Sequence, residues 1–270
     1  MSDKKRRKGT PMMALVSPRL SNTTIKENIM DGEVAFRTLS ILVESYNIRT
    51  VPTFFVDQTT IPEVLGCEIF FQENAAASVR THKVKTREDL TELRVPDPHK
   101  DGRMPNQLKT TKMMCDRYPD RPKSGAVDGP FTLATNLGGI ENVLMKTVDD
   151  PRFVEDLVDF CVRTGVEWGK AQIEAGCSSF FIGDPSAALL DPASYARFAA
   201  APVRRLIEEL QVPMMLHICG DTTHIIEEMC ATGVKGISVD AAVNIKNVVP
   251  KVPQDVLLLG NLDPVGAVLS

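Results

Sequence analysis

The chain has 270 residues, 43% of them hydrophobic, and a formal net charge of -4. That length holds one large domain or two small ones, and the mild acidity argues against a surface built for nucleic acid or other polyanions. The six cysteines are dispersed without a CxxC pair, so they read as free thiols or metal ligands of a reducing compartment, not as a disulfide frame. With no apolar run of membrane-spanning length and no signal-peptide core, the expected protein is soluble and cytoplasmic, with no membrane partner.

Residues 1–10, which include the basic run from Lys4 to Lys8, are expected to be a solvated, disordered tail. An apolar run at 12–17 predicts a first strand. Val34, Ala35, Leu39, Leu42 and Val43 fall at helical spacing and predict a helix over 33–46. The β-rich run 51–57 predicts a strand ending in Asp57, and a helical segment through Glu63 and Leu65 stops at Gly66. Alternation within 67–85 predicts a hairpin. It opens an inserted segment, 67–118, which also holds a short helix from Arg87, a loop at 95–102 and a helix over 106–118.

From residue 123 a rhythm of strand and helix sets in. Strands over 123–128, 178–184, 213–217, 236–240 and 256–261 end in Asp128, Asp184, His217, Asp240 and Asn261. A long amphipathic helix over 150–175, capped by Gly176, and a helix from Asp191 and Pro192 to about residue 210 lie between them. Alternation of this kind demands a parallel sheet, either doubly wound or closed into a barrel. No glycine-rich dinucleotide fingerprint follows the first strand. Asp57, Asp128, Asp184, His217, Asp240 and Asn261 instead place six polar side chains on six strand ends, as the active face of a TIM barrel requires. Any single aspartate in this set could equally serve a turn or a helix cap. About seven barrel strands can be counted, so an eighth strand and the last helices are expected to be missing from these residues. The resulting exposed edges would invite a homodimer.

His217 and Cys219 lie two apart at the end of an apolar run and share one side of an extended backbone. An imidazole and a soft thiolate converging there are two ready zinc ligands. A buried cysteine beside a satisfied core histidine would give the same pattern, since two ligands do not make a site. Asp221 and Thr222 read as caps of a helix ending near Cys230. His82, His99 and His224 read as surface or structural residues, and Cys177 and Cys230 as buried thiols.

Four separated segments carry a resemblance. Asp57-Gln-Thr-Thr-Ile-Pro-Glu-Val-Leu-Gly-Cys-Glu-Ile69, Gly129-Pro-Phe-Thr-Leu133, His217-Ile-Cys-Gly220 and Gly260-Asn-Leu-Asp-Pro264 together resemble the uroporphyrinogen decarboxylase superfamily, from roughly residue 30 onward. The resemblance implies one TIM-barrel domain over 1–270. Decarboxylases of that superfamily carry an arginine-rich motif near the N-terminus, where this chain has Ser17-Pro-Arg-Leu-Ser21. They also carry a tyrosine where it has Asn136. The other branch is the cobamide-dependent methyltransferases, similar to the methylcobamide:coenzyme M methyltransferases of methanogens. These carry His-x-Cys, which binds zinc with a further cysteine that would fall beyond residue 270.

The resemblance therefore implies zinc on His217 and Cys219, and a corrinoid supplied by a partner corrinoid protein. It implies Asp57 and Asp184 as catalytic residues, and Asp57, Asp240 and Asn261 as residues facing the corrinoid. The expected reaction is methyl transfer between that corrinoid and a thiol or other small molecule. Two alternatives stand beside it: decarboxylation of a porphyrinogen, and a non-catalytic barrel subunit of a corrinoid methyltransferase system.

Overall fold

A computed structural model of the chain describes residues 16–263 and residue 266. Strand β1 (Val51–Pro52) is followed by a hairpin of β2 (Glu68–Gln72) and β3 (Ala75–Thr81). Then come β4 (Lys123–Asp128), β5 (Ser179–Gly183), β6 (Met214–Ile218), β7 (Gly236–Val239) and β8 (Leu257–Leu259). The hairpin is a separate two-stranded sheet. The other six strands form one parallel sheet in the order β1, β4, β5, β6, β7, β8. Each crossover therefore steps to the next position in the same direction. A doubly wound sheet reverses at a switch point; this succession does not, and it is the winding of a TIM barrel.

Helices cover the outer face. The helix Pro151–Glu174 shows how the sequence specifies one of them. The Asp150 carboxylate accepts from the Phe153 amide, Pro151 takes the first turn where no N–H is needed, and Gly176 ends the segment at φ +114°. Its apolar stripe, with Phe153, Leu157, Phe160, Cys161 and Trp168, is buried, against the helices Pro130–Gly138 and Ala201–Leu210. Gly165 and Gly169, one turn apart, form the seat for the second of these. A Cβ at Gly165 would lie 3.2 Å from Leu206, and one at Gly169 only 2.5 Å from Leu210. Glycine costs a helix interior roughly 0.5–1 kcal/mol relative to alanine, and close helix contact is what it secures here.

Along β6, Met214, Leu216 and Ile218 are buried while Met215 and His217 are half-buried. The first set packs under the helices. The second points to the concave side of the sheet, where β5 and β4 send Phe181, Ala126 and Asp128.

Three elements differ from expectation. The strand expected at 12–17 falls mostly outside the described residues; its last two, Val16 and Ser17, form a turn before the helix Pro18–Ser21. The strand expected over 51–57 is two residues long, and Asp57 lies five residues beyond its end. Pro52 has no amide to donate, and after Thr53 bonds Ser124 the chain leaves the ladder. The helix ending at Cys230 begins only at Ile226. Asp221 closes a turn onto the Thr223 amide and hydroxyl instead of capping that helix. Among the described residues no helix is long and apolar enough to cross a membrane.

Candidate active site

The parallel register aligns the strand ends in a row. Asp128 stands opposite Gly183, Gly183 opposite His217, and His217 opposite Ser238. His217 thus lies one residue before the end of β6 on the concave side, with Cys219 just beyond the strand. The Cys219 Sγ lies 3.2 Å from the His217 Nε2. The other ring nitrogen, Nδ1, lies 3.1 Å from both the carbonyl oxygen and the hydroxyl of Ser238. Phe181 stacks on the imidazole with centroids 5.8 Å apart. Burial lowers the affinity of His217 for a second proton, with Ser238 and Asp240 opposing, so the ring is neutral at pH 7. Burial, then the Asp240 charge, pushes the Cys219 thiol up. Cys219 is nonetheless exposed, whereas Cys67, Cys115, Cys161, Cys177 and Cys230 are buried.

Asp184 sits deeper. Its side chain lies on Gly129, where an added Cβ would be 2.1 Å from the Asp184 Cγ. From there its Oδ1 accepts from the Thr132 amide at 2.8 Å and hydroxyl at 2.6 Å. It therefore caps the helix Pro130–Gly138 from the neighbouring strand, a place its own N-cap, Gly129, cannot fill. The Oδ2 is buried without a partner. Asp184 is 1% exposed, and burial raises its carboxyl to about 6 against the two Thr132 bonds. Asp128 is raised further, to about 7. Burial is the main cause; the Asp57 and Asp184 charges add to it, and a Gln58 hydrogen bond opposes it.

Asp57 is fully engaged. Its Oδ1 accepts from the Thr59 amide and hydroxyl, and its Oδ2 from Thr60, Gln107 and the Arg103 Nη1 at 2.6 Å. The side chain is 1% exposed. The structure thus makes Asp57 a tie between the loop after β1 and the helix Met104–Arg117, with no open carboxylate edge for a ligand.

Asn261 likewise donates its amide to the backbone carbonyls of Asp240 at 3.1 Å and Val243 at 2.5 Å, fastening the end of β8 to the loop after β7. Asp240 is half-buried. The backbone amides of Ala242 and Gly220 hold its carboxyl below the usual range, so it stays ionised beside the His217–Cys219 pair. His82 bonds the Asn136 carbonyl and His224 the Leu190 carbonyl, so both fasten backbone.

Arg103, Gln58 and Ser238 belong to this rim as well. Ser238 was not among the residues expected here, although its place two residues before Asp240 was a signal for it. Arg103 gives no such signal, because it joins Asp57 across 46 residues of chain. Among the described residues no group of three or more His, Cys, Asp or Glu side chains surrounds one point, so His217 and Cys219 stand as a pair.

The family described as uroporphyrinogen decarboxylase (URO-D) matches residues 7–270. The chain is 34% identical over 216 residues to the methylcobamide:CoM methyltransferase MtbA of Methanosarcina acetivorans, covering 77% of this chain and 63% of that one. It is 27% identical over 249 residues to the uroporphyrinogen decarboxylase of Pseudomonas paraeruginosa, covering 87% and 69%. A solved methyltransferase from Methanosarcina mazei superposes with a TM-score of 0.83 at 24% identity, over 95% of this chain and 76% of that one. The chain thus spans less than two thirds of the length of MtbA.

Proposed function

The chain belongs to the uroporphyrinogen decarboxylase family, and from its similarity to MtbA within that membership we propose a zinc-dependent methyltransferase acting between a corrinoid and a thiol or other small molecule. The observation that carries the reading is the convergence of His217 Nε2 and Cys219 Sγ at 3.2 Å, with Nδ1 already engaged by Ser238. A tetrahedral zinc with nitrogen at about 2.0 Å and sulfur at about 2.3 Å separates those ligand atoms by about 3.5 Å. The pair needs a few tenths of an ångström to fit, and a neutral imidazole and a soft sulfur suit the ion. Bound there, zinc would supply a Lewis-acid position at which a substrate thiol is held as thiolate.

The chain's own groups complete the site. Asp128 lies on the same row of strand ends, two strands from His217, with burial holding its carboxyl up at about 7. Asp184 holds the helix that shapes the wall behind it. Asp57 and Asn261 serve as scaffold, because their polar atoms are spent inside the protein. In this proposal the corrinoid is brought to the mouth by a separate corrinoid protein; MtbA's name as a methylcobamide enzyme supports the corrinoid itself. Against the alternative of porphyrinogen decarboxylation stands the sequence Ser17-Pro-Arg-Leu-Ser21 in place of the arginine-rich motif.

Elemental analysis of the purified chain and of His217→Ala tests the metal. About one zinc in the first and none in the second is the expected result. Demethylation of methylcobalamin with a panel of thiols then tests the reaction. A zinc-free protein without demethylation would overturn the reading.

A further inference from the structure

We propose that Ser238 is the positioning residue of this site, fixing which nitrogen of His217 is presented to Cys219. What the pair holds rests on the zinc reading above; the orientation of the ring is a property of the chain itself.

Donor and acceptor chemistry assigns the ring proton. Ser238 stands opposite His217 in the parallel β6–β7 register, so both side chains fall on the concave side. The Ser238 carbonyl lies 3.1 Å from Nδ1, and a carbonyl can only accept. Nδ1 therefore carries the ring proton. The Ser238 hydroxyl oxygen, 3.1 Å from the same atom, accepts a share of that proton. A neutral imidazole has one N–H, so Nε2 keeps its lone pair and directs it at the Cys219 Sγ. Without a metal, that lone pair accepts from the thiol.

Two features make the arrangement stiff. Ser238 is 6% exposed, so little water competes for its hydroxyl. Phe181 stacks on the imidazole with an interplanar angle of 27° and restricts its rotation. A hydroxyl and a carbonyl from one residue thus grip the nitrogen that does not meet the metal. Outer-shell partners of this kind typically alter metal affinity by about 10–100-fold when removed.

The test compares the full chain with Ser238→Ala and Ser238→Thr, using two readouts. Nitrogen NMR of the zinc-free protein at neutral pH reports the His217 tautomer, and chelator competition with Zn2+ reports affinity. A single Nδ1–H tautomer is expected in the parent. Ser238→Ala keeps the backbone carbonyl, so the Nδ1–H tautomer should persist, while loss of the hydroxyl should loosen the ring and weaken zinc binding about tenfold. Ser238→Thr should restore the affinity. A merely structural serine would lower the melting temperature without weakening zinc binding. If Ser238→Ala does not fold, Ser238→Val, isosteric with the threonine variant but without its hydroxyl, takes its place. An Nε2–H tautomer in the parent, or an unchanged zinc affinity in the folded variant without the hydroxyl, overturns the proposal. A parent without zinc affinity would defeat the zinc reading, while the tautomer of the parent would still decide this one.

Discussion

The Asp184 carboxylate and the α-carbon of Gly129 are in direct contact, so the cap of the helix Pro130–Gly138 exists because residue 129 has no side chain. Gly129→Ala should push Asp184 off Thr132. Overpacking costs about 1–3 kcal/mol and a lost cap about 0.5–2, so a destabilisation of about 2–4 kcal/mol is expected by urea denaturation. Asp184→Ala already lacks the cap and has room for the methyl group. The double mutant should therefore be less destabilised than the sum of the singles, and additivity would show that the two residues are not coupled.

Asp128 and Asp184 predict an unusual pH dependence. Both titrate above the unfolded value of about 3.9, at about 7 and about 6. Between those limits the folded state binds more protons than the unfolded one. The stability they contribute is full below about pH 4 and is lost as the pH rises through 6 and then 7. His217, lowered by burial, acts in the opposite sense: its contribution is present above about 6.5 and is lost on acidification. The clean window is therefore pH 6.5 to 8, where melting temperature should fall. In Asp128→Asn it should stay nearly level and lie above the parent at pH 8. A parent profile that rises across this window would contradict the assignment.

These groups also separate what was legible in the sequence from what was not. The strand at 123–128 and the long helix were readable because a β-rich run and a 3.6-residue period are local patterns. His217 and Cys219 were readable because the two-residue spacing of a strand fixes a shared side. The length of β1 was not, because leaving a ladder after Pro52 depends on what β4 offers beyond Ser124. Asn261 was correctly expected at a strand end, but the carbonyls that capture its amide lie in another loop. Strand-end position shows where a side chain starts, and the neighbouring loops decide whether it remains free.

Gly169 tests the helix seat. By propensity alone Gly169→Ala should stabilise the helix Pro151–Glu174 by roughly 0.5–1 kcal/mol. A methyl group 2.5 Å from Leu210 should reverse the sign, with a net loss of about 1–2 kcal/mol after overpacking is counted. In a Leu210→Ala background the same change should turn neutral or favourable. A stabilising Gly169→Ala in the parent would mean that the two helices part easily.

Arg103 carries the largest expected effect. Its Nη1 meets Asp57 and its Nε meets Glu63, each at 2.6 Å, and its side chain is 10% exposed. It also lies over the Phe71 ring, 5.2 Å from the centroid, which joins the hairpin to the loop after β1. Arg103→Met keeps much of the packing but strands the Asp57 charge in a buried place, a change that typically costs about 3–5 kcal/mol. Arg103→Lys should recover little, because a single ammonium cannot serve two carboxylates with the reach of a planar fork. Adding Asp57→Asn to Arg103→Met removes the stranded charge and should regain part of the loss. Denaturation midpoints of the three variants decide the matter. A lysine variant as stable as the parent would show that Asp57 needs only a nearby cation, and that the fork geometry at Arg103 is incidental.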